Sequence, residues 1–181
     1  KFSEHAQCLA LLSGILSPAQ SGQAFKGLLE AQDLARTTVY FSHYLFDTYA
    51  KFGRTDLILK RLDLWRDYVK IGLRTPLESP GDGARSDCHA WGAHPLLHLQ
   101  RDVAGVSPAE PFFKSVRVAP CPGGLKHIAS STPHPNGMIQ TDFTFDGDTV
   151  KGSVTLPEGV NGVFEWRGKT IALKPGKNAI E

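Results

Sequence analysis

The sequence predicts a helical first part followed by a small antiparallel β-sandwich, with the change near residue 106. Two observations lead to this fold class. Apolar residues recur at helical spacing before residue 106. After it they alternate with polar residues, and Asp-Gly, Pro-Gly and Arg-Gly pairs interrupt the alternation. We therefore expect two domains, residues 1–106 and residues 107–181.

Three stretches of the first part carry the helical spacing most clearly: Leu9/Leu12/Leu16, Phe41/Leu45/Tyr49/Phe52 and Ile58/Leu62/Trp65/Val69. Hydroxyl side chains precede the helices as candidate N-caps, at Ser3, at Thr37 or Thr38, at Thr55 and, for the last helix, at Ser86. Glycines stand near the helix ends, at Gly14, Gly53, Gly72 and Gly105. Residues 17–35 form a weaker helix because Gly22 and Gly27 lower its propensity, which makes about five helices in all.

The strands of the second part are predicted from alternating apolar positions, which are Ile139, Phe143, Phe145, Val150, Val154 and Leu156. Phe164 and Trp166 alternate in one strand and should share a face, most simply a buried one. We therefore favour a structural cap over a carbohydrate-binding sandwich with these two rings as platforms. Exposure of both rings would reverse that preference.

Composition excludes several partner classes. The formal charge of +2 comes from 20 basic and 18 acidic residues without a basic block, which argues against a nucleic-acid partner. No apolar run is long enough to cross a bilayer, so no membrane partner is expected. The cysteines at positions 8, 88 and 121 are odd in number and lack the spacing of a zinc site or a disulfide framework.

The candidate site lies in the segment RTPLESPGDGARSDCHAWGAH, residues 74–94. Pro76 and Pro80 flank Glu78 and restrict the backbone on both sides of it, so the loop has a defined shape. If Ser86 begins a helix, His89 lies in its first turn, close to Glu78 and beside Trp91. A solvated Glu78 and a Trp91 buried in the core remain the simpler alternative.

Metal binding is a second local possibility. His94 and His98 are four residues apart on one helical face, and Asp102 follows a turn later. Pro95 disturbs that helix, and the Glu of the H-E-x-x-H motif is absent. We expect packing or capping roles for these histidines, and we expect no metal and no cofactor. The chain also lacks a G-x-S-x-G nucleophile motif and a P-loop.

Three separated motifs resemble the C-terminal part of bacterial α-L-rhamnosidases of glycoside hydrolase family 78. They are SEHAQCLALLSGIL, RSDCHAWGAHPLLHL and FFKSVRVAPCPGGLKHIASSTPHPNGMI, in the order expected for the family. The resemblance covers nearly the whole chain. It implies the last helices of an (α/α)6 toroid, followed by a C-terminal β-sandwich. It also implies cleavage of terminal α-L-rhamnosyl residues with inversion, which needs a general acid and a general base.

The family places the base on a loop before the histidine motif, where this chain has Glu78, with Asp82 as the fallback. The aromatic residue that the family often has before this Glu is replaced by Pro76-Leu77. His89 matches a histidine that contacts sugar hydroxyls, and Trp91 would be a wall of the pocket or its support.

In the family the general acid lies upstream of the segment present here. The resemblance thus implies a fragment that is inactive alone, with two partners: a rhamnose-containing glycoside or polysaccharide, and the rest of the parent polypeptide. It allows a periplasmic or secreted location, since family members that act on plant glycans are often exported. The alternative is a non-catalytic carbohydrate-binding or interaction module.

Overall fold

A computed structural model describes residues 2–81 and 83–181 of the chain. It divides the chain into two compact units, Lys1–Pro95 and Leu96–Glu181. The first unit is helical and the second contains all the strands found in the described residues, so the predicted order of helices followed by strands is confirmed. No helix among the described residues is both long and apolar enough to cross a membrane.

The first unit contains five α-helices and one short 3₁₀ helix within its described residues: α1 (Glu4–Leu12), α2 (Pro18–Glu30), α3 (Ser42–Lys51), α4 (Thr55–Arg61), α5 (Asp63–Lys70) and the 3₁₀ helix Ala90–Ala93. Helix α1 packs against α2 and α3. The core of this packing consists of Cys8, Leu11, Leu28 and Leu45. These residues belong to the apolar stripes of the three helices, and their burial supplies the main stabilisation of the unit.

Helix α2 is longer and better defined than its two glycines predict. Ser17 accepts a hydrogen bond from the backbone N–H of Gln20, and the Gln20 side chain accepts one from the backbone N–H of Ser17. This reciprocal capping box, with Pro18 at the first helical position, fixes the start of the helix. The Ser-x-x-Gln pattern of this capping box is present in the sequence. The hydrogen bonds of the box stabilise the helix and offset the low helix propensity of Gly22 and Gly27.

Of the predicted N-caps, Ser3 is confirmed because it accepts a hydrogen bond from Ala6 N–H, whereas those at Thr37 or Thr38, at Thr55 and at Ser86 are wrong. Helix α3 begins after Phe41 without a side-chain cap, because the Thr37 hydroxyl instead donates to Glu4. Thr55 is itself the first residue of α4, after Arg54. The single helix predicted around Ile58–Val69 is two helices that meet at Leu62, whose ψ of −9° departs from regular helix geometry.

The helix predicted to begin after Ser86 is also wrong. Residues 84–89 are not helical, and the following 3₁₀ helix starts only at Ala90, with His89 at its N-cap position. The backbone of this segment is hydrogen-bonded to the other arm of the loop. The Ser86 carbonyl accepts a hydrogen bond from Glu78 N–H, and His89 N–H donates to the Pro76 carbonyl. These two hydrogen bonds hold the segment against the other arm of the loop, and His89 has an extended backbone, with φ of −112° and ψ of 114°.

The second unit contains a short helix, a π-helical turn and eight strands. Their bounds are α6 (Pro95–His98), the π turn Leu99–Val103, β1 (Val106–Pro108), the 3₁₀ turn Pro111–Phe113, β2 (Ser115–Val118), β3 (His127–His134), β4 (Gly137–Asp146), β5 (Thr149–Leu156), β6 (Asn161–Trp166), β7 (Lys169–Leu173) and β8 (Gly176–Ile180). They form two four-stranded sheets in the orders β1-β2-β6-β7 and β3-β4-β5-β8. All strand pairs are antiparallel except β2 with β6, which is parallel and differs from the prediction.

The two sheets pack through their alternating apolar residues. Phe143 of β4 and Phe164 of β6 are both buried, and their ring centroids lie 5.4 Å apart. Gly162 in β6 is required by close pairing, because a Cβ there would lie 2.4 Å from the Val116 carbonyl oxygen. The alternation predicted from Ile139 to Leu156 is thus the inner face of the second sheet.

The division between the units comes before the predicted boundary at residue 106. The π turn belongs with the strands: Cys121 N–H donates to the Val103 carbonyl, and the Thr132 hydroxyl donates to the Gln100 amide oxygen at 2.5 Å. Gly105, with φ of +79°, lets the chain pass the Ala119 backbone, where a Cβ would clash. That residues 1–106 and 107–181 are separate domains remains a prediction.

Candidate active site

The Glu78 loop, residues 74–89, is held in shape by bonds between its two arms. Glu78 N–H donates to the Ser86 carbonyl at 2.9 Å, and His89 N–H donates to the Pro76 carbonyl at 3.1 Å. The Thr75 hydroxyl donates to the Asp87 carbonyl. These cross-links account for a fixed backbone at Glu78 even though the loop contains no regular secondary structure.

The loop is anchored to the helical unit by an apolar residue and a close contact. Leu77 is buried against Val39 and Tyr68. On the other side, Gly92 lies so near Pro76 that a Cβ on Gly92 would be 2.4 Å from the Pro76 Cβ. Leu77 occupies the position where the resembling family often has an aromatic residue, and here that position faces the core.

Two basic side chains meet the Glu78 carboxylate. Arg85 donates from Nε to Oε2 at 3.0 Å and from its terminal nitrogen to Oε1. The Nε2 atom of His89 lies 3.6 Å from the same Oε1. The side chains of Glu78 and His89 are 21% and 17% exposed, whereas Arg85 is 78% exposed. The histidine is therefore a fixed neighbour, and the arginine covers the carboxylate from the solvent side.

Aromatic rings adjoin this pair. The Trp91 ring lies 4.5 Å from His89 and 5.4 Å from Tyr40, measured between ring centroids. Both Trp91 and Tyr40 are large exposed rings, at 43% and 49% exposure. A core role for Trp91 is therefore wrong. Exposed rings beside a carboxylate are suited to stacking on the apolar face of a sugar.

The structure thus brings together Glu78, His89 and Trp91, and it adds Tyr40, which no sequence pattern indicated. The Nδ1 atom of His89 is buried and has no hydrogen-bond partner among residues 2–81 and 83–181. Asp82, the fallback base, lies outside the described residues. The helix turn expected to contain His89 is not formed, because residues 84–88 are irregular and His89 itself has an extended backbone.

A second polar cluster in the helical unit was not anticipated. Glu4 is buried in the first turn of α1, and its Oε2 atom accepts from Thr37 N–H at 2.6 Å and from the Thr37 hydroxyl at 2.9 Å. Arg61 lies 3.8 Å from the same oxygen and donates to the Thr37 carbonyl. Burial raises the pKa of neighbouring Tyr49 to about 12, and the charge of Glu4 adds to this effect. These residues line a pocket of about 710 Å³.

His94 and His98, the two histidines considered as metal ligands, both lie within hydrogen-bonding distance of protein groups. His94 Nε2 lies 3.0 Å from the Ser42 hydroxyl oxygen and 3.2 Å from the Val39 carbonyl oxygen. In the second unit, His98 Nδ1 lies 2.6 Å from Asp102 Oδ2. Burial raises the pKa of Asp102, but the hydrogen bonds from His98 and Arg101 outweigh it and hold that pKa below its ordinary value.

One family model matches part of this chain. Residues 105–173 match the family model described as the bacterial alpha-L-rhamnosidase C-terminal domain. Among curated proteins, none matches the chain significantly.

Three solved structures share the fold. A family 78 rhamnosidase of Bacillus sp. GL1 is 21% identical over 91% of this chain, with a TM-score of 0.77. An α-L-rhamnosidase from Aspergillus terreus is 20% identical over 98%, with a TM-score of 0.80. The Streptomyces avermitilis α-L-rhamnosidase, solved with L-rhamnose, is 17% identical over 96%, with a TM-score of 0.76. These findings confirm the resemblance predicted from the sequence motifs.

The matches cover only part of each solved protein. They span 19% of the Bacillus chain, 23% of the Aspergillus chain and 21% of the Streptomyces chain. The chain therefore spans about a fifth of the length of the rhamnosidases that it resembles.

Proposed function

We propose that the chain, whose residues 105–173 match the family model of the bacterial alpha-L-rhamnosidase C-terminal domain, is the C-terminal part of a glycoside hydrolase that releases terminal α-L-rhamnose. Its helices would complete an (α/α)6 toroid whose other helices lie in the remainder of the parent polypeptide. The substrate class follows from the solved relatives, one of which was crystallised with L-rhamnose.

The observation that carries the proposal is the contact of Glu78 with His89 beside two exposed aromatic rings. In this proposal Glu78 is the general base that takes a proton from the attacking water. Its carboxylate is partly exposed and held on a hydrogen-bonded loop, so a water molecule can come within hydrogen-bonding reach of it. Arg85 contacts both carboxylate oxygens and is itself exposed, so it can give way to water and substrate.

His89 would donate a hydrogen bond to a sugar hydroxyl, and Trp91 would form a wall of the sugar pocket. The general acid would come from the remainder of the parent polypeptide, at about 6.5–9.5 Å from Glu78, which is the separation that admits a water molecule in inverting enzymes. The reaction would therefore proceed with inversion. The 181-residue chain would have no hydrolytic activity alone, because it would supply only half of the carboxyl pair.

The decisive experiment measures hydrolysis of 4-nitrophenyl α-L-rhamnoside by the parent polypeptide with and without Glu78→Gln. Loss of the base should lower kcat severely, and added azide should restore turnover by forming the β-rhamnosyl azide, because azide needs no base. Glu158→Gln, on an exposed turn of the second unit, is the matched control and should leave kcat unchanged. Activity of Glu78→Gln equal to that of the parent would rule out Glu78 as the base.

A second experiment addresses the chain itself. Incubating the purified 181-residue chain with the same aryl rhamnoside should release no 4-nitrophenol above the level given by its Glu78→Gln variant. Turnover that disappears in the variant would show that both catalytic groups lie within this chain, contrary to the proposal.

A further inference from the structure

The second unit contains an open cleft of about 640 Å³ that is separate from the Glu78 loop. One wall is the turn Pro120–Leu125, part of the P-C-P-G-G-L motif to which the proposed catalysis gives no role. The other wall is the hairpin turn between β6 and β7, and Phe145 also lines the cleft. The volume lies within the roughly 300–1,000 Å³ typical of small-molecule binding sites.

The cleft carries an aromatic ring in a fixed orientation. Trp166 is only half-buried, and its ring lies 5.4 Å from the ring of Phe145, between centroids. Its Nε1–H donates to the Asp148 carbonyl at 2.8 Å. Phe164, by contrast, is buried at 2% exposure and contacts the core. The shared buried role predicted for the two rings therefore holds for Phe164, while Trp166 lines the cleft.

Positive charge predominates in the cleft. Its lining contains the four cationic side chains Arg117, Lys126, Arg167 and Lys169, against the single carboxylate of Glu165. Arg117 is paired with Glu165 at 2.6 Å. The backbones of Lys126 and Lys169 are hydrogen-bonded, but among residues 2–81 and 83–181 no side-chain hydrogen bond or ion pair involves either ammonium group. Two lysines whose ammonium groups make no ion pair among the described residues thus line a cleft that is also lined by an indole.

The backbone at Arg167 is strained. Arg167 has φ of +45° and Gly168 has φ of +81°, in the two-residue turn between β6 and β7. A turn with two positive φ angles favours Asn-Gly, because a long side chain is disfavoured at its first position. Arg167 nevertheless occupies it, with its guanidinium 5.6 Å from the Trp166 ring centroid and 2.8 Å from an Asp148 carboxylate oxygen. Such strain commonly marks a functional position.

We propose that this cleft binds an acidic oligosaccharide that contains uronate residues. One sugar ring packs against the exposed part of the Trp166 indole, and carboxylates of the neighbouring residues pair with Lys126 and Lys169. Arg167 holds the indole in place and adds a third cation. A single-stranded nucleic acid would also combine stacking with negative charge, but the sequence has no basic block of the kind that such a partner needs. This inference goes beyond the proposed catalysis and does not depend on it.

The test is calorimetric titration of the 181-residue chain with trigalacturonate, with maltotriose as a neutral trisaccharide and a thymidine tetranucleotide as a second anion. Trigalacturonate should bind, more weakly as NaCl is raised from low to high concentration, and the other two should bind at least tenfold more weakly. Lys126→Gln with Lys169→Gln should weaken trigalacturonate binding about tenfold. The control pair Lys151→Gln with Lys174→Gln makes the same change of charge outside the cleft and should leave binding unchanged.

Arg167→Asn separates binding from folding. Asparagine suits the turn at least as well as arginine, so the melting temperature should not fall, while affinity for trigalacturonate should drop several-fold. Absence of trigalacturonate binding, equal binding of maltotriose or of the tetranucleotide, or equal loss in the control pair would overturn the proposal. Rhamnoside hydrolysis by the parent polypeptide is measured separately, so failure here leaves the role of Glu78 unaffected.

Discussion

Glu78 Oε1 and His89 Nε2 lie 3.6 Å apart at the base of a loop whose two arms are hydrogen-bonded to each other. The distance is longer than a hydrogen bond, which leaves room for both groups to turn toward a common ligand. The backbone bond from His89 to Pro76 sets this spacing, because it places the two side chains on the same end of the loop. In the proposed reaction Glu78 would then act on the attacking water while His89 binds a hydroxyl group of the sugar.

Replacing His89 by alanine should reduce kcat/KM of the parent polypeptide for the aryl rhamnoside by roughly 10- to 100-fold. This range corresponds to the loss of one or two hydrogen bonds to the substrate. His127→Ala is the control, because His127 pairs with Asp142 on the surface of the second unit and should have no effect. Equal kinetics for His89→Ala and the parent would contradict a role in sugar binding.

Gly92→Ala should destabilise the chain by about 1–3 kcal/mol, because the new methyl group would lie 2.4 Å from the Pro76 ring and 3.2 Å from Val39. Gly22→Ala is the opposite case. It lies inside α2 with open space around it, and it should stabilise by about 1 kcal/mol through helix propensity. Urea denaturation of both variants should show a lower free energy of unfolding for Gly92→Ala and a higher one for Gly22→Ala. A neutral Gly92→Ala would mean that the loop shifts away without cost.

Cys8 should resist alkylation in the folded chain while Cys88 reacts. Burial, the largest effect, together with the charge of Glu4 raises the pKa of the Cys8 thiol to about 11. At pH 8 about one thiol in a thousand would then be ionised, and the side chain is fully buried. Cys88 is exposed. Iodoacetamide labelling followed by peptide mass spectrometry should show rapid labelling at Cys88, with Cys8 labelled only in guanidinium. Equal native labelling rates would refute this.

Asp102→Asn should lower stability at neutral pH and have less effect in acid. The folded-state pKa of Asp102 is lowered by hydrogen bonds from His98 and Arg101 that outweigh the effect of burial. A lowered pKa gives stability that is present above the ordinary value of 3.8 and is lost as the pH falls through the folded-state value. Urea unfolding should therefore show a loss of about 1–3 kcal/mol at pH 7.

The comparison with wild type should be repeated at about pH 3, below the ordinary pKa of 3.8, where the difference in the free energy of unfolding should shrink. Asp146→Asn, at an exposed end of β4, is the matched control and should show no comparable pH dependence. A constant difference between pH 7 and pH 3 would mean that the loss comes from altered packing rather than from the charge of Asp102.

Much of the architecture could be predicted from short-range signals. The order of helices and strands followed from apolar periodicity, and Gly14, Gly53, Gly72 and Gly105 all have the positive φ expected near helix ends. Ser3 was a cap because its partner, Ala6, is only three residues away. The capping box of Ser17 and Gln20 also joins residues three apart. It could therefore be predicted from the sequence, although Gly22 and Gly27 weakened the prediction of the helix.

The sequence by itself determined the succession of elements, the rigid loop and the residue types of the candidate site. Tertiary structure alone decided that residues 84–89 pair with the opposite arm of the loop instead of forming a helix, that Tyr40 joins Trp91, and that Glu4 is buried against Thr37. These outcomes depend on partners far apart along the chain. Local propensity cannot specify such contacts, because their free energy arises only when packing brings distant backbone and side-chain groups together.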